Sequence, residues 1–234
     1  MKVKLTIAAL AASLLMSVAQ AEDTASATDE QLETFITEAT KIFEKNQANP
    51  KKRIPDEVLK EADAIMIFRI TRGGIILGAS EGAGIAFKNN IESWSPPAFY
   101  TVASGSLGLQ IGASEMDLIA VLMNHEAEGI LDDPKINWGV GMEVIAGPTG
   151  ASLGANTMPK ADILIYETTK GLDVGVAVSG GLIQPNQKFN AELYDKDDIT
   201  TAWILGSRVP MPKAAESLTL LLRDYSYQAP KSDK

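Results

Sequence analysis

Apolar residues recur at helical spacing near both ends of the chain. The stripe over Leu32–Phe43 predicts an amphipathic helix that packs on the body of the protein. Thr28 followed by Gln31 fits a capping box at its start, and we expect the helix to end within residues 46–50. A second stripe over Pro212–Tyr225 predicts a helix near the other end.

Three shorter helices are also predicted from local signals. Pro55, followed by Asp56 and Glu57, is typical of a first helical turn. The other two are expected around Asn124–Leu131 and within Asp197–Leu205.

The middle of the chain has the pattern of many short strands. Eighteen of the 19 glycines lie from Gly73 to Gly181, where they disfavour helix. The dense apolar run Ala64–Ile70 predicts a buried strand. Further strands are predicted at Ile75–Ala79, Gly84–Lys88, Phe99–Ala103, Leu107–Gly112, Asp117–Met123, Gly139–Ala146, Ala161–Glu167 and Leu172–Val178. We therefore predict an α+β fold, an antiparallel β-barrel or sandwich-like body of many short strands with helices at the N- and C-terminal ends.

Residues 1–21 have the three-part pattern of a secretory signal peptide. Lys2 and Lys4 precede the apolar run Leu5–Val18, and Ala19-Gln20-Ala21 is a typical cleavage signal. A membrane anchor is the alternative, but the run is shorter than the ~20 residues needed to span a bilayer. We expect cleavage after Ala21 and a periplasmic or secreted protein, without a lipoprotein cysteine because the chain has none.

The rest of the chain is predicted to form one folded domain. Residues 22–53 should comprise a flexible segment and the amphipathic helix, residues 54–225 the domain itself, and residues 226–234 a tail. A chain of this size buries enough apolar surface to fold without disulfide bonds.

The net charge of −9 argues against nucleic-acid binding, but one segment is basic. Residues 51–72 carry six cations against four carboxylates, and a cluster of this kind favours an anionic, phosphate-bearing surface. A solvated helix entry is the alternative. The six are Lys51, Lys52, Arg53, Lys60, Arg69 and Arg72.

The catalytic and metal motifs are weak. Ser80 lies in a G-x-S-x-G pattern, but we expect a glycine-rich turn there, because no helix pattern follows and His125 is the single histidine. One histidine beside Glu126 and Glu128 does not make a metal site, and His125 is expected at the surface or in a helix cap. We therefore predict a protein that is not an enzyme, with no catalytic residue, cofactor or metal.

Two five-residue segments are near copies of each other. Leu77–Glu81 and Ile111–Glu115 share the order aliphatic-Gly-Ala-Ser-Glu. Two copies hint at an internal repeat but do not indicate a solenoid.

An ordered series of motifs resembles the SYLF domain, also called the Ysc84 actin-binding domain. It covers about Ile54 to Ile204. The segments that carry the resemblance are Ile54–Gly74, Ser93-Trp94-Ser95-Pro96-Pro97, Leu109–Ala113, Gly147-Pro148-Thr149-Gly150 and Tyr166–Leu172, within the matching run Asp162–Gly175.

The resemblance implies a lipid-binding module whose N-terminal part contacts the membrane. Eukaryotic members bind phosphoinositides, some bind and bundle actin, and bacterial members are mostly exported envelope proteins. With the export signal, it implies a bacterial exported member that binds anionic phospholipid head groups through the six cations above. Envelope proteins are further candidate partners, nucleic acid is not, and actin is not expected inside a bacterial envelope. A structural or protein-binding envelope component is the alternative function, and a hydrolase built on Ser80 is a weaker third.

Overall fold

The structure is a computed structural model that describes residues 28–73, 77–91, 93–107, 114–132, 136–137, 141–150, 159–167 and 181–227. The predicted signal peptide, the predicted strand Leu172–Val178 and most of the predicted tail lie outside these residues. The helices are α1 (Asp29–Gln47), α2 (Asp56–Lys60), α3 (His125–Glu128, continued by a 3₁₀ turn, Gly129–Leu131), α4 (Gln187–Tyr194), α5 (Thr201–Leu205) and α6 (Lys213–Ser226). The strands are β1 (Ala64–Gly73), β2 (Leu77–Lys88), β3 (Ala98–Leu107), β4 (Ser114–Leu122), β5 (Ile136–Asn137), β6 (Val144–Ala146), β7 (Ile163–Glu167) and β8 (Gly181–Pro185).

The eight described strands form one sheet in the order β5-β8-β3-β2-β1-β4-β7-β6. All neighbours are antiparallel except β6 and β7, which are parallel. The predicted α+β class is confirmed. Among the described residues β5 and β6 are the outermost strands and do not pair with each other, so a sandwich-like body fits better than a closed barrel.

Both faces of the sheet are covered by helices. On β1, Ile65 and Ile67 lie in a core with α1, α2 and α6, whereas Met66 and Phe68 lie in a second core with α3 and α5. This alternation follows from the two-residue period of a strand. The apolar stripe of α1 is buried in the first core, which confirms its predicted packing.

The predicted start of α1 is confirmed in detail. The Thr28 N–H donates to Oε1 of Gln31 at 2.9 Å, and the Gln31 N–H donates to Oγ1 of Thr28 at 3.4 Å. Each side chain thus satisfies a backbone donor that the helix leaves free. Pro55 was predicted at the first helical position of α2 and lies one residue earlier, at the N-cap.

Two predicted breaks within the sheet are wrong. Residues 77–88 form one strand instead of two with a turn at Ser80, and β3 likewise continues to Leu107. One glycine of this strand, Gly84, serves close packing. Gly84 lies opposite Phe68 in the register, and a Cβ on Gly84 would overlap the Phe68 ring.

Other elements differ from their predicted bounds. Of the predicted strand Gly139–Ala146, residues 144–146 form β6 and residues 141–143 are not in a strand. Asp197–Leu205 is helical only over α5, and β5 and β8 were missed. Helix α4 was also missed. It is fixed by Asn190, whose side chain accepts from the Phe99 N–H at 2.7 Å and donates to the Phe99 carbonyl at 3.2 Å.

Candidate functional site

The predicted basic site begins in the loop between α1 and α2. The end of α1 holds this loop in place. The Ile54 N–H donates to Oδ1 of Asn46 at 3.1 Å and to Oε1 of Gln47 at 3.0 Å. Asn46 also donates through Nδ2 to the Lys52 carbonyl at 3.1 Å. The side chains of Asn46 and Gln47 are buried, whereas Lys51 and Lys52 are exposed. The loop therefore presents its lysines to solvent from a fixed backbone.

Arg53 joins this loop to a second one, Gly147–Gly150. The Gly150 N–H donates to the Arg53 carbonyl at 3.1 Å, and a Cβ on Gly150 would lie 3.0 Å from Cγ of Arg53. The guanidinium group is ion-paired with Asp56 at the start of α2. Two segments about 95 positions apart thus meet at Arg53.

Lys60, the last residue of α2, is exposed and lies four residues before the start of β1. The chain then enters β1 beside the β2–β3 hairpin, where Asn89 donates through Nδ2 to the Ala62 carbonyl at 3.1 Å and through its N–H to the Asp63 carbonyl at 2.9 Å. We call this the hairpin end of the sheet: the end where β1 and β3 begin and β2 and β4 finish.

Arg69 lies on β1, and its side chain forms ion pairs with two carboxylates. Its Nε lies 2.9 Å from Oδ1 of Asp117, and its Nη2 lies 3.9 Å from Oε2 of Glu38. Glu38 also accepts from Lys41 at 2.6 Å, and this bond, with the nearby Arg69 charge, lowers the pKa of the Glu38 carboxyl group. Arg69 therefore ties β1 to β4 and to α1.

Arg72 lies still further from the hairpin end. It follows the first residue of β1 by eight positions, or roughly 26 Å of extended chain, and its backbone lies between Ser80 on β2 and Ser114 on β4. The structure thus places Lys51, Lys52 and Arg53 in the α1–α2 loop and Lys60 at the end of α2, and leaves Arg69 and Arg72 along β1. A lipid-binding role for these two arginines stays a prediction.

The Ser-Glu ends of the two near-copies of sequence occupy equivalent places in the sheet. Thr71 lies between Glu81 and Glu115, in the same way that Arg72 lies between Ser80 and Ser114. The copied Ser-Glu pairs therefore flank β1 at the same level. The similarity of these segments corresponds to a local symmetry about one strand.

The arrangement does not support a hydrolase built on Ser80. Ser80 lies inside β2, level with the start of β4, whereas His125 follows the end of β4. The eight steps of β4 place the two residues at opposite ends of the sheet, roughly 26 Å apart. His125 contacts Glu128 instead, at 2.7 Å, with its side chain 92% exposed, which agrees with the predicted surface position.

Metal and membrane-spanning elements were searched within the described ranges. There, no group of three or more histidine or carboxylate side chains is placed to hold a metal ion. No helix in the same part of the chain is long and apolar enough to cross a membrane.

The sequence analysis missed one exposed residue of the β2–β3 hairpin. It identified Asn89-Asn90 as a turn but attached no significance to Ile91, which is 78% exposed at the tip of the β2–β3 hairpin. An isoleucine directly after two asparagines, in a turn, was the available signal.

Comparison with known proteins identifies relatives of this chain. It is 28% identical to Protein YSC84 of Saccharomyces cerevisiae over 77% of this chain and 40% of that protein. It is also 27% identical to the SH3 domain-containing YSC84-like protein 1 of Mus musculus, over 82% of this chain and 57% of that protein. The match thus spans between about two fifths and three fifths of the length of these curated relatives.

No solved structure matches the chain. The model of one protein family, described as Ysc84, Las17-binding protein actin regulator, matches residues 103–225, which is just over half of the chain. With the relatives above, this match establishes that the chain belongs to the Ysc84 (SYLF) family.

Proposed function

We propose that this protein binds anionic phospholipid head groups through the α1–α2 loop and helix α2, and that it has no catalytic activity. The exposed lysines of the α1–α2 loop carry the proposal, because the buried side chains of Asn46 and Gln47 hold that loop in place. A fixed loop loses little conformational freedom when its lysines meet phosphate groups.

The local charge favours this choice within an acidic protein. Residues 49–62 carry four cations, Lys51, Lys52, Arg53 and Lys60, against the three carboxylates Asp56, Glu57 and Glu61, a net of +1 in a chain of −9. Each Lys or Arg near an anionic bilayer contributes about 1 kcal/mol. Lys51, Lys52 and Lys60 are exposed and are the proposed head-group contacts.

We further propose that the protein acts in a bacterial envelope, in the periplasm or outside the cell. The signal-peptide pattern of residues 1–21 supports export. Fractionation of the producing cells, with N-terminal sequencing of the recovered protein, tests this part. A cytoplasmic protein that keeps residues 1–21 would contradict it.

A protein-binding role is the second candidate, and the names of the relatives favour it. One yeast relative, 28% identical over 74% of this chain, is called LAS seventeen-binding protein 3. By analogy, the acidic body of this chain would be the working surface and its partner an envelope protein. Crosslinking in intact cells that recovers lipid and no protein would count against this candidate.

Vesicle flotation tests the first proposal. We expect the protein to float with phosphatidylglycerol or cardiolipin vesicles but not with phosphatidylcholine vesicles. Binding should weaken as salt rises, because salt screens exposed charges. Failure to float with any anionic vesicle at low salt would contradict it.

A further inference from the structure

The tip of the β2–β3 hairpin is built in an unusual way. Asn89 and Trp94 form the closing bridge, and the Asn90 N–H donates to the Ser93 carbonyl at 2.9 Å. Ile91 follows as the first central residue of the turn, with φ of +71°. This position favours glycine, asparagine or aspartate, and a β-branched residue with positive φ is an outlier.

The tip is held firmly against its neighbours. Asn90 donates through Nδ2 to the Leu205 carbonyl at 3.1 Å and lies 3.0 Å from Oγ of Ser207. Nε1 of Trp94 donates to Oγ of Ser226 at 3.0 Å. The hairpin is thereby fixed to the end of α5 and to the end of α6, and Ile91 projects from a rigid support.

These anchoring elements carry two further exposed aromatic residues. Trp203 of α5 is 41% exposed, and Tyr227, which directly follows α6, is 51% exposed. Tryptophan and tyrosine favour membrane–water interfaces, because each ring has an apolar body and a polar edge. Three of the four large hydrophobic side chains that are exposed among the described residues therefore lie at the hairpin tip, on α5 or directly after α6, and the fourth, Leu220, lies inside α6.

Cations accompany this apolar tip. Nζ of Lys196 lies 4.1 Å from the centre of the Trp203 ring, and Arg208 is exposed just after α5. Lys60 lies two residues before Ala62, whose carbonyl accepts from Asn89 at the base of the hairpin. Positive charge beside exposed aliphatic and aromatic groups is complementary to an anionic membrane surface.

We propose that Ile91 is an apolar anchor that inserts into the boundary between head groups and acyl chains, with Trp203 and Tyr227 at the interface. This inference rests on the proposed function and extends it, because the lysines supply attraction and Ile91 supplies insertion. The apolar groups project as separate side chains, and Lys196 lies over the Trp203 ring, an arrangement that suits a bilayer better than a folded protein partner. The backbone geometry at Ile91 fits this role, since selection for fold alone favours a different residue there.

A site-specific fluorescent label tests the insertion directly. The chain has no cysteine, so Ile91→Cys and the control Leu220→Cys, an exposed residue on the outer side of α6, can each be labelled with a polarity-sensitive fluorophore. We expect a blue shift and increased emission on phosphatidylglycerol vesicles for the label at position 91 and no change at position 220. An unshifted label at position 91, on protein that floats with the vesicles, would overturn the insertion while leaving the proposed function intact.

Unlabelled variants give the energetic test by flotation. We expect Ile91→Asn to lower the vesicle partition constant about tenfold or more, the factor that follows from keeping one isoleucine side chain in water. Ile91→Leu should bind like the wild type, and so should the control Leu220→Asn. Wild-type binding by Ile91→Asn would assign the tip to a protein partner and overturn the insertion. If the wild type does not float at all, the proposed function itself fails.

Discussion

The backbone N–H of Gly150 donates to the carbonyl of Arg53, and the stem of Arg53 lies against the Cα of Gly150. This contact connects the basic loop to a segment from the second half of the chain. It fixes the position of the loop by packing, in addition to the ion pair between Arg53 and Asp56.

Two substitutions separate the packing of Arg53 from its charge. The ion pair is partly exposed, and such pairs contribute about 0–1 kcal/mol. We expect Arg53→Met, which keeps the aliphatic stem, to lower the free energy of unfolding by at most about 0.5 kcal/mol, and Arg53→Ala to lower it by about 1 kcal/mol or more. Urea denaturation measures both. Equal losses in the two variants would show that charge, and not packing, holds the loop.

The contact between Gly84 and Phe68 predicts a large effect of a single methyl group. Because a Cβ on Gly84 would overlap the buried ring of Phe68, Gly84→Ala should lower the free energy of unfolding by about 1–3 kcal/mol. Gly129→Ala is the matched control, since a Cβ there meets nothing within 4 Å. It should be neutral or stabilising by up to about 1 kcal/mol. Similar losses in both variants would contradict the close approach.

The carboxylate of Asp162 predicts a pH dependence of stability. It accepts from the Glu143 N–H and from Nδ2 of Asn124, both at 2.6 Å, and these bonds lower the pKa of Asp162. Because the folded-state pKa lies below the unfolded value of about 3.9, the stabilisation is complete above that pH and is lost as pH falls through the folded-state pKa.

Asp162→Asn tests this dependence. We expect the variant to be less stable than the wild type at pH 7, and the difference to shrink as the pH is lowered from 5 to 3. Urea denaturation over this pH range measures the effect. A difference that stays constant or grows on acidification would contradict the assignment.

The geometry of Ile91 predicts a stabilising substitution. Replacing an isoleucine at positive φ by glycine removes the steric cost, so Ile91→Gly should raise the free energy of unfolding by about 1 kcal/mol. The same change at Leu220, inside α6, should lower it by about 1 kcal/mol. Thermal denaturation compares the two variants. A loss of stability at Ile91 would show that this side chain supports the fold.

Local patterns predicted the elements whose signals are local. The capping box of Thr28 and Gln31, the stripe of α1 and the dense run that begins β1 all depend on neighbouring residues, and all three are confirmed. The predicted turn at Ser80 was wrong because the sequence does not distinguish a glycine in a turn from a glycine inside a strand. Only the pairing of β1 with β2 shows that Gly84 makes room for Phe68.

The site could be predicted only in part, because its geometry depends on contacts between residues that are far apart in the chain. Charge alone grouped Arg69 with Lys51, but Arg69 lies on β1 and bonds Asp117, which is 48 residues away. The contact of Arg53 with Gly150 and the anchoring of Asn90 to α5 join segments about 100 residues apart. Ile91 became a candidate only when its exposure and backbone angle were known.

Charge reversal at Lys51 and Lys60 tests the head-group proposal most directly. Lys51→Glu with Lys60→Glu changes two exposed lysines of the α1–α2 loop and α2. Lys41→Glu with Lys213→Glu makes the same change in net charge at two exposed lysines that line a groove between α1 and the start of α6. Partition onto phosphatidylglycerol vesicles at low salt is measured for both. We expect the first double variant to lose at least tenfold in affinity and the second to stay within about threefold of the wild type. Equal losses, or binding by the first variant at the wild-type level, would contradict the proposed site.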